Sequence, residues 1–192
     1  MEIEIATQLI TAGATLAGVV LTLLSTAILE RRRAHDARAL EAERMKLEHA
    51  KWLRDERQRA YAALSIAGEE VQQFFRSGLP LLIESDNPQW RDEAEACWHE
   101  LRSQLRKAYN QVALFGASGV RSVGLSIWRT ARNGGNDFFD SLRAVSVTSV
   151  DKTGLSEKIR TVASDLGTVG NHFLEACRKD LQGESNGVLR LD

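Results

Sequence analysis

Apolar positions along this chain follow two patterns, one continuous and one periodic. From Ile5 to Leu29, in IATQLITAGATLAGVVLTLLSTAIL, no charged residue occurs, and Glu30-Arg31-Arg32-Arg33 closes the run. At 1.5 Å per residue a helix of this length extends roughly 37 Å, somewhat more than the roughly 30 Å hydrocarbon core of a bilayer. The run therefore predicts one membrane-spanning helix with modest tilt. Its polar members, Thr7, Gln8, Thr11, Thr15, Thr22, Ser25 and Thr26, are uncharged and scattered rather than striped. Each can hydrogen-bond to carbonyls of its own helix.

Beyond Glu30 the pattern becomes helical and polar. Up to Gly78 there is no proline, and Gly68 is the sole interior weak point, so one long helix is predicted. Its first part places Glu41 near Arg44, Glu43 near Lys46, Glu48 near Lys51 and Asp55 near Arg59, pairs that support an exposed helix by a few tenths of a kcal/mol each. Leu40, Leu47, Tyr61 and Phe75 are spaced by multiples of seven, with Leu64 and Val71 three residues after heptad positions. Arg54 and Gly68 interrupt that seam, which makes an imperfect coiled coil. Apolar density rises after Trp52, dividing a stalk over 30–51 from a first bundle helix over 52–76.

Pro80 is expected to end that helix, leaving Leu79–Ile83 as a short apolar connector, and Ser85-Asp86-Asn87-Pro88 supplies the cap and first turn of the next. Asp92, Glu93 and Glu95 suit its N-terminal end, and Ala94, Trp98, Leu101, Leu105, Ala108 and Val112 form its apolar stripe up to a C-cap at Gly116. Ser118 is placed to cap a third helix with Val120, Val123, Ile127 and Ala131 inward. Asn133-Gly134-Gly135-Asn136 then breaks the pattern. Either 137–147, led by Phe138, Phe139 and Leu142, is a separate short helix, or it resumes the third after a kink. VSVTSVDKTG reads as a loop. The most regular stripe, Leu155, Ile159, Val162, Leu166, Val169, Phe173, Cys177 and Leu181, predicts a last helix ending near Gly183, and GESNGVLRLD a mobile tail. The predicted fold is all-α, with a transmembrane anchor over 1–29, a charged stalk helix over 30–51, an antiparallel bundle of about four helices over 52–182 and a tail over 183–192.

Charge sets the topology. Glu2 and Glu4 precede the uncharged run while Arg31, Arg32, Arg33 and Arg38 follow it, so the positive-inside rule places the N-terminus outside and the C-terminal domain in the cytoplasm, at the cell inner membrane. An acidic leader is unlike a signal peptide, and the anchor is expected to stay in the mature protein. The same arginines lie at the membrane interface, where anionic headgroups attract them, although topology alone accounts for their presence. Ala14 and Gly18 put two small residues four apart, a candidate helix-association face. With 25 Lys and Arg against 26 Asp and Glu, the chain has no global basic field, and no nucleic-acid partner is expected.

Few residues carry the spacing that catalysis or metal binding needs. A di-iron bundle needs Glu-x-x-His on two helices, which is absent. Glu95 with His99 and His172 with Glu175 share helix faces, and with Cys97 and Cys177 they are the nearest approach to a mononuclear metal site. Both histidines are expected to face water, however, and both cysteines to lie on apolar faces as free thiols with raised pKa. Gly134-Gly135 lacks the lysine and hydroxyl of a phosphate loop. Trp52, Trp90, Trp98 and Trp128 sit among aliphatic neighbours as core or bundle-edge residues. The sequence thus predicts no catalytic residue, no metal ligand, no cofactor and no small-molecule ligand.

The uncharged N-terminal run, the basic block after it, ERQRAYAAL at Glu56–Leu64 and FLEACRKDL at Phe173–Leu181 together resemble a group of uncharacterised bacterial single-pass membrane proteins. That group, frequent in high-GC genomes, carries an Arg-x-x-Ala-Tyr-like segment early and an Ala-x-Arg-x-Asp-Leu-like segment late. The resemblance implies an anchored cytoplasmic helical bundle and carries no established activity. Cys177 stands where small residues are common in the pattern. The expected function is that of a membrane-tethered scaffold or adaptor acting through protein–protein contacts, with the bilayer and either a protein partner or a second copy as its associates. The alternatives are a self-assembling membrane effector of toxin or defence type and a metal-dependent enzyme with its metal in the bundle core.

Overall fold

The computed structural model describes the backbone of residues 2–84, 87–145 and 152–188, and side chains at most positions from Thr22 to Gly183. Among the described residues everything except Asn87, Gly116 and Ala117 is helical. Helix α1 spans Glu2–Gln73, a π-helical turn covers Phe74–Gly78, and α2 (Leu79–Glu84), α3 (Pro88–Phe115), α4 (Ser118–Val145) and α5 (Lys152–Val188) follow. The chain divides into two compact units, Met1–Lys51 and Trp52–Asp192.

In the first unit the described side chains are all exposed. Ser25 donates to the Thr22 carbonyl at 2.9 Å, and Thr26 donates to the carbonyls of Thr22 and Leu23 at 3.0 and 2.9 Å. These hydroxyls use the helix's own acceptors, as uncharged polar residues in a helix can. Arg44 bonds Glu48 at 2.9 Å rather than Glu41, taking the partner one turn ahead. Among the described residues no helix is long and apolar enough to cross a membrane. The side chains of most of 5–29, Ala14 and Gly18 included, lie outside the described residues.

The second unit is an up-down-up-down four-helix bundle. Its first helix runs parallel to α4, since Tyr61 meets Ala117, while a Cβ built on Gly124 would touch Leu64 and one on Gly68 would touch Ile127. It runs antiparallel to α3 and α5, because Arg57 reaches Phe115 and Phe75 packs on Trp98, while Tyr61 meets Phe173 and Gln72 meets Ala163. The core is apolar: Tyr61, Leu64, Val71 and Phe75 from the first helix, Trp98, Leu105 and Val112 from α3, Val120, Ile127, Ala131 and Phe138 from α4, and Leu155, Ile159, Leu166, Phe173 and Cys177 from α5 are all buried.

Pro80 does not end the helical path. The π-helical turn just before it, in which the Leu79 N–H reaches back to the Phe74 carbonyl, widens the coil where a proline would crowd the preceding turn. The path continues as α2, whose Leu79, Leu82 and Ile83 are buried, and the turn also brings both Phe74 and Phe75 against Trp98. Asn87 caps α3, accepting from the Gln89 N–H at 3.0 Å, with Pro88 in the first turn.

Gly134-Gly135 also leaves α4 unbroken. A Cβ on Gly135 would fall 2.1 Å from the Trp98 ring, and one on Gly134 would fall 2.5 Å from Val162, so these glycines let α3 and α5 approach α4 rather than interrupt it. Residues 137–145 therefore belong to the third bundle helix. Gly116 follows α3 with φ −74°, and a Cβ there would lie 2.6 Å from the Val112 carbonyl, so crowding and not a left-handed backbone favours glycine. Ser118 is the first residue of α4, and the Ala117 carbonyl accepts the first helical bond from Arg121 at 2.9 Å. Helix α5 passes Gly183, an isolated glycine that weakens a helix without stopping it, and runs to Val188. The loop expected over VSVTSVDKTG falls on 146–151, outside the described residues, and Lys152–Gly154 begin α5.

Candidate functional site

Three polar side chains that the bundle draws inward, Arg57, Tyr61 and Asp180, meet at one end of it. Arg57 and Tyr61 are four apart on one helix face, so both point to the same neighbours. The Tyr61 ring is 4% exposed and stands edge-on to Phe173, with centroids 6.1 Å apart. Its hydroxyl donates to Asp180 Oδ2 at 2.7 Å and accepts the Ala117 N–H at 3.2 Å. Arg57 Nε donates to the Phe115 carbonyl at 2.8 Å, and its terminal nitrogen lies 3.8 Å from the same Asp180 oxygen. Trp52 adds an edge-to-face contact with Phe115, with centroids 6.1 Å apart. Three segments, the first bundle helix, the α3–α4 turn and the end of α5, are thereby joined.

The electrostatics of this cluster suit a fastening role. Burial pushes the Tyr61 phenol well above its ordinary range, the bond to Asp180 pushes it further, and the Ala117 N–H and Arg57 only partly oppose this. The phenol is held neutral as a donor to a carboxylate already engaged by Arg57. One turn back on α5, burial pushes the Cys177 thiol up to about 12, with the Asp180 charge adding to the effect, so the thiolate is disfavoured.

Arg31, Arg32, Arg33 and Arg38 are exposed on α1 in the first unit. Cys177 is buried, but Cys97 is exposed: it precedes Trp98 by one residue, and the 100° step between neighbours turns it out of the stripe. His99 Nε2 lies 3.8 Å from Glu95, whose same oxygen is held by Arg143 of α4 at 2.7 Å, so Glu95 serves a link between α3 and α4. His172 is exposed. Among the described residues no group of three or more His, Cys, Asp or Glu side chains is placed to hold a metal ion.

Periodicity did not reveal the Arg57–Tyr61–Asp180 cluster. The available signal was a tyrosine in core register with an arginine one turn before it, while the carboxylate that completes the set is 119 residues away. Comparison of the chain with protein families, curated proteins and solved structures finds no match.

Proposed function

We propose that this chain is a single-pass, membrane-tethered helical bundle that works as a scaffold or adaptor, holding a protein partner at the cytoplasmic face of the bilayer. The observation that carries the reading is the use made of this one cluster. Arg57, Tyr61 and Asp180 are spent on binding the bundle's own segments together, around an apolar core, which suits a module that presents a surface. The tether rests on the uncharged run of 5–29 and the arginines that follow it. The resemblance of the Arg57–Tyr61 and Asp180 segments to those of anchored bacterial bundles is consistent with this reading.

In-membrane crosslinking of the full-length chain at native expression, followed by mass analysis of the trapped species, tests the proposal. A heterologous protein, lost when bundle-surface residues are changed while membrane insertion persists, is the expected product. Self-assembly as a membrane effector is the second reading, favoured by the exposure of Leu40, Met45 and Leu47 in the first unit. It would yield self-oligomers alone, weakened by Gly18→Leu.

A further inference from the structure

Between α3 and α4 runs a groove of about 460 Å³ lined by His99, Arg102, Ser103 and Arg106 from one helix and Trp128 and Arg132 from the other. Its size falls within the range of small-molecule sites, roughly 300–1,000 Å³. No carboxylate lines it. Arg102 and Arg106 are one turn apart on α3 and face Arg132 across the groove, a grouping of like charge that is unfavourable unless an anion neutralises it. The neighbouring acids are committed elsewhere, Glu95 to Arg143 at 2.7 Å and Glu100 to Gln104 at 2.9 Å. Among the described residues none of the three guanidiniums makes a salt bridge, and Arg102 is aimed by a 3.2 Å bond to Asn136 Oδ1. Arg121 and Arg129 of α4 are not in the lining, so the feature is a local convergence and not a general property of that helix.

From this arrangement we infer that the α3–α4 groove binds a small phosphate ester or polyphosphate. Three planar guanidiniums offer paired donors matched to phosphate oxygens, and together they call for more negative charge than one carboxylate carries. The Ser103 hydroxyl and the His99 ring add hydrogen-bonding groups to the lining, and the half-buried Trp128 provides an apolar wall for the ester's organic part. The same phosphate chemistry is found in soluble phosphate compounds and in the monoester headgroup of phosphatidic acid.

The test titrates the purified full-length chain, in zwitterionic detergent at about 0.15 M salt where weak surface attraction is screened, with tripolyphosphate and separately with dioctanoyl phosphatidic acid. Calorimetry and tryptophan fluorescence report binding. Saturable binding of one equivalent per chain, weakened at least tenfold by Arg106→Gln with Arg132→Gln and unchanged by Arg121→Gln, is expected for whichever source is physiological. Preference for tripolyphosphate identifies a soluble ligand, and preference for the phosphatidate a headgroup. Circular dichroism of the double variant matching the parent shows that the loss is one of binding, and Arg132→Gln alone, at an exposed position, provides the same comparison if the double variant misfolds. Absence of saturable binding to both probes overturns the inference, as does equal binding by parent and folded variants.

Discussion

The Tyr61 hydroxyl donates a 2.7 Å hydrogen bond to the Asp180 carboxylate, joining the first bundle helix to the end of the last. The same oxygen accepts the Ala117 N–H, so Tyr61→Phe removes two bonds and leaves a largely buried carboxylate and a turn amide short of partners. A loss of about 1–3 kcal/mol follows. The unfolding midpoint of the bundle should fall by about 3–10 °C. Asp180→Asn keeps an acceptor for the phenol and should cost less than Tyr61→Phe. Denaturant unfolding of the three proteins checks the order, and a neutral Tyr61→Phe would show that the cluster does not fasten the bundle.

Glycines in this bundle differ by what surrounds them. Gly135→Ala places a Cβ 2.1 Å from the Trp98 ring, a rigid neighbour that is itself fully buried, and overpacking of this kind costs about 1–3 kcal/mol or more. Gly170→Ala in α5 meets nothing within 4 Å and should stabilise by about 0.5–1 kcal/mol, the ordinary helix gain from glycine to alanine. Opposite signs for the two substitutions in the same unfolding assay are expected. Equal effects would mean that Trp98 does not seat on Gly135.

These glycines also mark where the sequence was misleading. Apolar spacing correctly placed Trp98, Leu105, Val112, Ile127, Ile159 and Phe173 in the core, because a 3.6-residue period states which face is buried. Local propensity penalises Gly134-Gly135 and Pro80 alike, so the sequence marks Pro80 as a helix end and leaves 137–147 either separate or resumed after a kink. Their neighbours explain the difference, since Trp98 and Val162 fill the space a side chain would take, and a π-helical turn accommodates the proline. The Arg57–Tyr61–Asp180 cluster and the arginine groove were illegible for another reason. Both depend on which helices lie side by side, and one chain's periodicity does not give that.

Stability should decline under alkaline conditions. Tyr61 and Cys177 both have folded pKa values raised by burial, from ordinary values of 10.0 and 9.0 respectively. The unfolded chain therefore loses these protons first, and rising pH draws the equilibrium toward unfolding. Their contribution is intact below about pH 9 and, for Cys177, is lost progressively as pH rises to about 12. Unfolding midpoints measured from pH 7 to 11 should be flat at first and then fall. Cys177→Ala, compared with the parent at each pH, should flatten part of that fall, while an unchanged slope in Cys177→Ala and Tyr61→Phe would assign it to other groups.

The proposed tether and its orientation can be tested together, because the chain carries one exposed thiol and one buried thiol, Cys97 and Cys177. The most direct measurement is labelling with a membrane-impermeant maleimide on intact spheroplasts and on inverted inner-membrane vesicles, each then washed with alkaline carbonate. A tethered cytoplasmic bundle predicts labelling at Cys97 in inverted vesicles only, with the labelled chain retained in the washed membrane. Labelling of intact spheroplasts, or release of the chain into the carbonate supernatant, would contradict the account.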